Sequence, residues 1–185
     1  MRKIIAGMYI TLDGIVEAPE QWNPPYNTQE MADAVQAQMA ECDTHLYGRR
    51  SYELFRAVFT GPAADRIPHA GTMNDTPKIV VSTTLTNPDW GPTTVISSDV
   101  AEELARIKEQ PGKNINVGAS GTLVRFLLEE GLLDELRLHV HPVVVGRGKR
   151  LFEGGSTHVP LHLLGSATFR NGVVALRYAR AEPAQ

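Results

Sequence analysis

The chain has 185 residues, 42% of them hydrophobic and 21% charged, which places it with folded globular proteins rather than disordered ones. Eighteen basic residues stand against 21 acidic ones, a net charge of -3, so no global basic field argues for nucleic acid. The single cysteine, Cys42, excludes an internal disulfide and a thiolate metal cluster, and nothing approaches the roughly 18 continuous apolar residues of a membrane span.

Met1 to Gly14 joins basic residues to a short apolar run, but Thr11 and Asp13 interrupt it before a signal-peptide core forms. A soluble, cytoplasmic protein is expected, with one domain over residues 1–185. Arg2 to Ile10 reads as a buried first strand, and Thr11 to Tyr26 as a long loop with Asp13-Gly14 and three prolines. Asn27, with Glu30 three residues on, predicts a helix start, and Met31, Ala34, Val35, Met39 and Cys42 share a helical face. His45 to Tyr47 is a short strand ending at Gly48, and Tyr52, Leu54, Phe55 and Val58 mark a second helix. Gly61 to Pro77 is polar and reads as a loop. Lys78 to Ser82 and Thr93 to Ser97 are strands, and Asp99 with Glu102 predicts a capped helix through Val100, Leu104 and Ile107.

The Asn114 to Gly118 strand runs into Ala119-Ser120-Gly121, where a helix opens with Val124, Leu127 and Leu128 as its stripe and Ser120 as its expected cap. Leu136, Leu138 and Val140 alternate with Arg137, His139 and His141, the pattern of a half-buried strand. Asn171-Gly172 lies between two further strand patterns and predicts a type I′ hairpin, both of whose central residues need positive φ. The first two-thirds therefore predicts a parallel sheet with helical crossovers, and the last third adds strands expected to be antiparallel.

Three strand ends share one character. Gly48-Arg49-Arg50-Ser51 puts two guanidinium groups and a hydroxyl at a helix start, which suits phosphate. Ser82-Thr83-Thr84 puts three hydroxyls after a strand, and Val117-Gly118-Ala119-Ser120-Gly121-Thr122 puts small residues before a helix, a candidate pyrophosphate seat. Each alone also reads as a plain turn or solvated surface; ligands of open α/β sheets gather at the carboxyl ends of strands, so their coincidence favours a nucleotide.

The ordered set of these pieces resembles the dihydrofolate reductase-like superfamily, nearest to the C-terminal reductase domain of the bifunctional riboflavin-biosynthesis deaminase-reductase. The matching blocks are Thr11-Leu12-Asp13-Gly14, Leu46 to Glu53, Lys78 to Ser82, Val117 to Gly121, Asp134 to Leu138, Pro142 to Gly148 and Leu151-Phe152. The resemblance implies an α/β fold of three layers, with a mostly parallel central sheet, helices on both faces and a C-terminal antiparallel hairpin. It implies an NADPH site in which Gly48 to Ser51 and Ser82 to Thr84 hold the 2′-phosphate and adenosine end and Gly118 to Thr122 hold the pyrophosphate. The nicotinamide would lie by the first strand and Asp13. It also implies reduction of a small heterocycle, as in 5-amino-6-(5-phosphoribosylamino)uracil reductase; a non-catalytic NADP(H)-binding or sensor protein is the alternative.

Two departures narrow the activity. Trp22-Asn23-Pro24-Pro25-Tyr26 leads to Asn27, where true dihydrofolate reductases have a carboxylate, and no Cys-x-x-Cys is present for a deaminase zinc. Asp13 is the candidate acid for hydride transfer, ahead of Glu17 and Glu20, though Asp13-Gly14 is also a plain turn. Trp22 and Tyr26 either stack on a flat substrate or close the core beneath the loop. Arg147, within Gly146-Arg147-Gly148-Lys149-Arg150, either clamps a phosphorylated substrate or caps a solvated turn. His139 and His141 share a strand face but lack a third ligand, so no metal is expected. The surplus of strand at the C-terminus predicts a homodimer.

Overall fold

The computed structural model describes residues 1–67, 69–153 and 158–181. One eight-stranded sheet organises them. Its strands are β1 (Ile4–Thr11), β2 (Cys42–Gly48), β3 (Lys78–Val81), β4 (Thr93–Ile96), β5 (Asn114–Gly118), β6 (Glu135–His141), β7 (Leu161–Thr168) and β8 (Val174–Arg180). They lie in the order β4-β3-β2-β5-β1-β6-β8-β7. All neighbouring pairs from β4 to β6 are parallel, and β8 and β7 close the sheet antiparallel. This is the three-layer α/β fold expected. β6 departs from the expectation: it is parallel to β1, and β8 alone runs against the other strands, since β7, antiparallel to β8, points the same way as β6.

Alternation along the strands sorts side chains to two faces. Ile4, Ala6 and Met8 of β1, Leu46 of β2, Ile79 of β3 and Ile115 and Val117 of β5 form the main aliphatic core. Leu104 of α5 (Val100–Glu109) and Leu123, Val124, Leu127 and Leu128 of α6 (Gly121–Glu129) join them. The other face is aromatic and partly polar. Tyr47 and Val80 meet Tyr52 of α3 (Arg49–Thr60), Met73 of α4 (Ala70–Asp75) and Trp90, while Met31 of α2 (Gln29–Ala40) packs with Phe169 and Val173.

Several local expectations change. The 11–26 segment contains a short helix, α1 (Pro19–Trp22), and a 3-10 turn at Pro24–Tyr26, and the 61–77 segment contains α4. Thr28, not Asn27, caps α2, its Oγ1 accepting from Met31 N at 3.3 Å, and Cys42 begins β2 rather than ending that helix. Asp99 stands at φ 49 and makes no side-chain cap. Leu54 and Val58 face solvent at 57% and 42% exposure, because α3 turns Ser51, Tyr52 and Phe55 inward instead. At the hairpin only Gly172 has positive φ. Phe169 N donates to Val173 O and Gly172 N to Phe169 O, both at 2.9 Å, so the loop has three residues with glycine at its left-handed position. β6 is buried on both faces, His139 and His141 included, because it runs between β1 and β8 rather than along an edge.

Candidate functional site

β3, β2, β5, β1 and β6 are consecutive in the sheet and parallel, so their carboxyl ends share one edge. Along it stand, in order, Ser82 to Thr84, Gly48 to Ser51, Gly118 to Thr122, the Asp13 loop, and the 142–150 loop after β6. Topology thus makes neighbours of segments as far apart in sequence as Asp13 and Gly146, 133 residues.

Between β2 and β5 two helix starts meet. Gly48 N donates to Ser120 Oγ at 3.1 Å, Ser120 Oγ donates to Ser51 Oγ at 2.7 Å, and Ser51 Oγ donates to Ala119 O at 3.0 Å. Ser120 stands at the N-cap position of α6 but makes no side-chain cap; its hydroxyl is spent bridging to α3. That leaves the first-turn N–H groups of α6, like those of the glycine-capped α3, without side-chain caps, with the positive ends of both helices side by side. Ala119 sits at φ 52, a conformation few non-glycine residues adopt.

Neither backbone conformation nor neighbouring side chains require glycine at Gly118. Its φ is not positive, and a Cβ there would meet Tyr47 Cε1 at 3.6 Å and Phe55 Cε2 at 3.7 Å. These are ordinary contact distances, so the aromatic rings beside it leave room for a methyl group. Arg49 and Arg50 are the first residues of α3 and both are exposed; Arg49 Nε lies 3.7 Å from Glu53 Oε1, whereas Arg50 has no ion-pair partner among the described residues. Ser82 Oγ accepts from Thr84 N at 3.1 Å and Leu85 N at 3.0 Å, so that hydroxyl shapes the turn, while Thr83 and Thr84 are exposed.

Asp13 holds two loops together. Its Oδ1 accepts from Thr11 Oγ1 at 2.6 Å and Val145 N at 3.3 Å, and its Oδ2 from Gly146 N at 2.8 Å. The Thr11 hydroxyl first, then the Gly146 N–H, bring the carboxyl down to about 2. At neutral pH Asp13 is a carboxylate that accepts hydrogen bonds from both loops. Glu17 Oε2 similarly accepts from Lys149 N at 3.2 Å, and the pair presents Arg147, exposed, at the tip of the basic loop.

Trp22 and Tyr26 turn toward the protein. Trp22 is 8% exposed and donates through Nε1 to Glu17 O at 3.0 Å. Its ring and those of Tyr26 and Tyr9 stand edge-on to His141, at centroid distances of 5.1, 5.5 and 5.3 Å. Trp22 thus closes the core beneath the loop, while Tyr26 stays half-buried beside it. The histidines, read from sequence only as a thin metal pair, lie within this aromatic box; His139 stacks on Phe169.

Sequence reasoning missed a polar row. Asn116, His45 and Lys78 are register partners across β5, β2 and β3. Gln38 Nε2 donates to Asn116 Oδ1 at 3.0 Å, and Asn116 Nδ2 lies 3.3 Å from His45 Nδ1. A Cβ on Gly7 would come within 2.4 Å of Gln38 Nε2, so glycine in mid-strand lets Gln38 cross β1. A glycine inside a strand pattern was the available signal.

The chain is similar in sequence to a curated protein and in fold to several solved structures. It is 29% identical to YyaP of Bacillus subtilis (strain 168), an uncharacterized protein, over 184 residues covering 96% of this chain and 94% of that one. The Thermotoga maritima diaminohydroxyphosphoribosylaminopyrimidine deaminase/5-amino-6-(5-phosphoribosylamino)uracil reductase superposes with a TM-score of 0.70 at 13% identity, over 97% of this chain and 57% of that longer one. Dihydrofolate reductase from Enterococcus faecalis, solved with NADP(H), superposes with a TM-score of 0.62 at 14% identity and 97% coverage of both chains. Residues 2–175 match the RibD C-terminal domain, and the chain belongs to that family.

Proposed function

We propose that the protein is an NADPH-dependent reductase of a small heterocyclic acceptor, akin to the pyrimidine reductase of riboflavin biosynthesis. The observation that carries this reading is the meeting of the α3 and α6 starts through the Ser51–Ser120 hydroxyl pair, with the β3 end beside them. The donor set fits a dinucleotide phosphate: two adjacent helix starts for a pyrophosphate, and Arg49, Arg50, Thr83 and Thr84 for a further phosphate. Membership of the RibD C-terminal domain family and the fold shared with an NADP(H)-complexed dihydrofolate reductase support the same cofactor.

Bound NADPH would supply the hydride; the chain's task is to orient donor and acceptor and keep water away. In this reading Gly48 to Ser51 and Val117 to Thr122 seat the phosphates, and Ser82 shapes the turn that presents Thr83 and Thr84. Asp13 works as a carboxylate, fixing the β1 and 142–150 loops against each other. Arg147, at the exposed tip of that pair, meets the acceptor if the acceptor is anionic.

The second reading, a non-catalytic NADP(H)-binding protein, draws on the hydrogen bonds that engage Asp13, the first of the three candidate acids, as an acceptor between two loops. Fluorescence titration with NADPH tests the common part: saturable binding, tighter than for NADH, is expected, and no binding overturns both readings. Oxidation of NADPH with pyrimidine, pterin and quinone acceptors then separates them. Turnover with one heterocycle is expected; binding without turnover across the panel leaves the sensor reading.

A further inference from the structure

His141 is completely buried at the carboxyl end of β6, paired in register with Thr11 of β1. Its Nδ1 lies 2.8 Å from His139 O and its Nε2 2.8 Å from Asn23 Oδ1. Asn23, 8% exposed, donates in turn through Nδ2 to Asn27 Oδ1 at 2.8 Å, and Asn27 is exposed at the head of α2. A buried imidazole is thus joined through two side-chain amides to the surface.

Both ring nitrogens face oxygen, and a neutral imidazole has one N–H. The arrangement therefore has two self-consistent forms. With both nitrogens protonated, His141 donates to His139 O and to Asn23 Oδ1, and Asn23 donates to Asn27, as drawn. With Nδ1 alone protonated, both amides turn over: Asn27 Nδ2 donates to Asn23 Oδ1, and Asn23 Nδ2 donates to His141 Nε2. The direction of the whole chain follows one proton.

We propose that His141 is the positioning residue of the 19–27 segment and that its proton decides whether Asn27 turns an amide donor or an acceptor out to the surface at the head of α2. The inference rests on the hydrogen-bonded chain itself and stands whether or not the reductase reading does. The titratable groups that face the imidazole are Tyr9 from β1, His139 from β6 and Tyr26 from the 24–26 turn; none is a carboxylate. Burial disfavours the cation, while the His139 and Ile10 carbonyls favour it. The Nδ1–H form is accordingly the resting one at neutral pH.

Histidine-15N NMR of the intact protein reads the tautomer directly, with assignment from His141→Gln. The expected result is an Nδ1–H ring at neutral pH, doubly protonated on acidification, with the Trp22 indole resonance moving at the same midpoint. Asn23→Asp sets a carboxylate against Nε2 and should raise that midpoint by about one pH unit or more. Asn23→Leu should leave the fold intact and uncouple Trp22 from the titration. An Nε2–H tautomer at neutral pH, or a midpoint unmoved by Asn23→Asp, overturns the proposal. These readouts need neither cofactor nor turnover, so their failure is distinct from failure of the reductase reading.

Discussion

Arg49 and Arg50 are chemically alike but differently engaged. Arg49 is within ion-pair reach of Glu53, whereas Arg50 has no such partner among the described residues. Arg50 is therefore predicted to carry more of any preference for the phosphorylated cofactor. Arg50→Ala should weaken NADPH binding about tenfold, the worth of one charge-assisted contact, and leave NADH nearly unchanged. Equal losses for the two cofactors in a fluorescence titration would remove Arg50 from the site. Gly118 and Ala119 make a second residue-scale contrast. A Cβ at Gly118 finds ordinary contact distances, so Gly118→Ala should fold and bind, while the larger Gly118→Val should press on Tyr47 and Phe55 and cost roughly 1–3 kcal/mol. Ala119→Gly should do the opposite, raising the melting temperature, because glycine reaches φ 52 without the roughly 1 kcal/mol that alanine incurs. Chemical and thermal unfolding of the three variants decides the matter, and a destabilised Ala119→Gly would show that no strain resides there.

At the scale of the sheet, the face under α2 and α3 is held partly by buried polar groups. Burial holds His45 at about 4, with Lys78 adding to the effect. Burial does the same to His139, with His141 and Arg137 contributing. Both groups bind protons more readily unfolded, near 6.5, than folded. The stability that rests on their neutrality is therefore complete above about pH 6.5 and lost as pH falls toward 4. The melting temperature should drop across that window, and His45→Gln should flatten the drop; an unchanged slope would mean that His45 is not buried neutral in solution. The row also marks where sequence reading stops. Parallel strands with crossovers were legible because β1 and β3 are largely apolar runs and β5 carries Ile115 and Val117 just before a helix, and the site edge was legible because glycines and hydroxyls follow β2, β3 and β5. The partners of Gln38, Asn23 and His141 lie 78 and 118 residues away and have no local signature. Asp13 was legible as important but not as a clamp, since the N–H groups that fix its charge come from residues 145 and 146. The three-residue hairpin was misread because Asn-Gly fits either loop length, and the choice rests on the Phe169–Val173 pair.

At the scale of the molecule, the sheet outgrows its helical cover. β7 is an edge strand, exposed along most of its length, with Leu163 and Leu164 each 47% exposed. Its pairing with β8 shifts register between Leu163 and Gly165, leaving Leu164 as an extra residue. Such a bulge bends an edge and spoils it for a continuous ladder with another chain. The apolar side chains on β7 remain, so the prediction is a homodimer formed through the exposed surface of β7 and β8 rather than by joining strand edges. The cofactor edge lies at the carboxyl ends of β3, β2, β5 and β1, with β6 and β8 between it and β7, so each site is expected to be built mainly from one chain. Light scattering at micromolar concentration should give about twice the 20.3 kDa of one chain. Leu164→Asp should return the protein to a single chain, because a carboxylate buried at an apolar interface costs more than the contact restores. NADPH binding should survive that change, since Leu164 is remote from the edge. A wild-type protein that scatters as a monomer would refute the assembly and leave the cofactor site untouched.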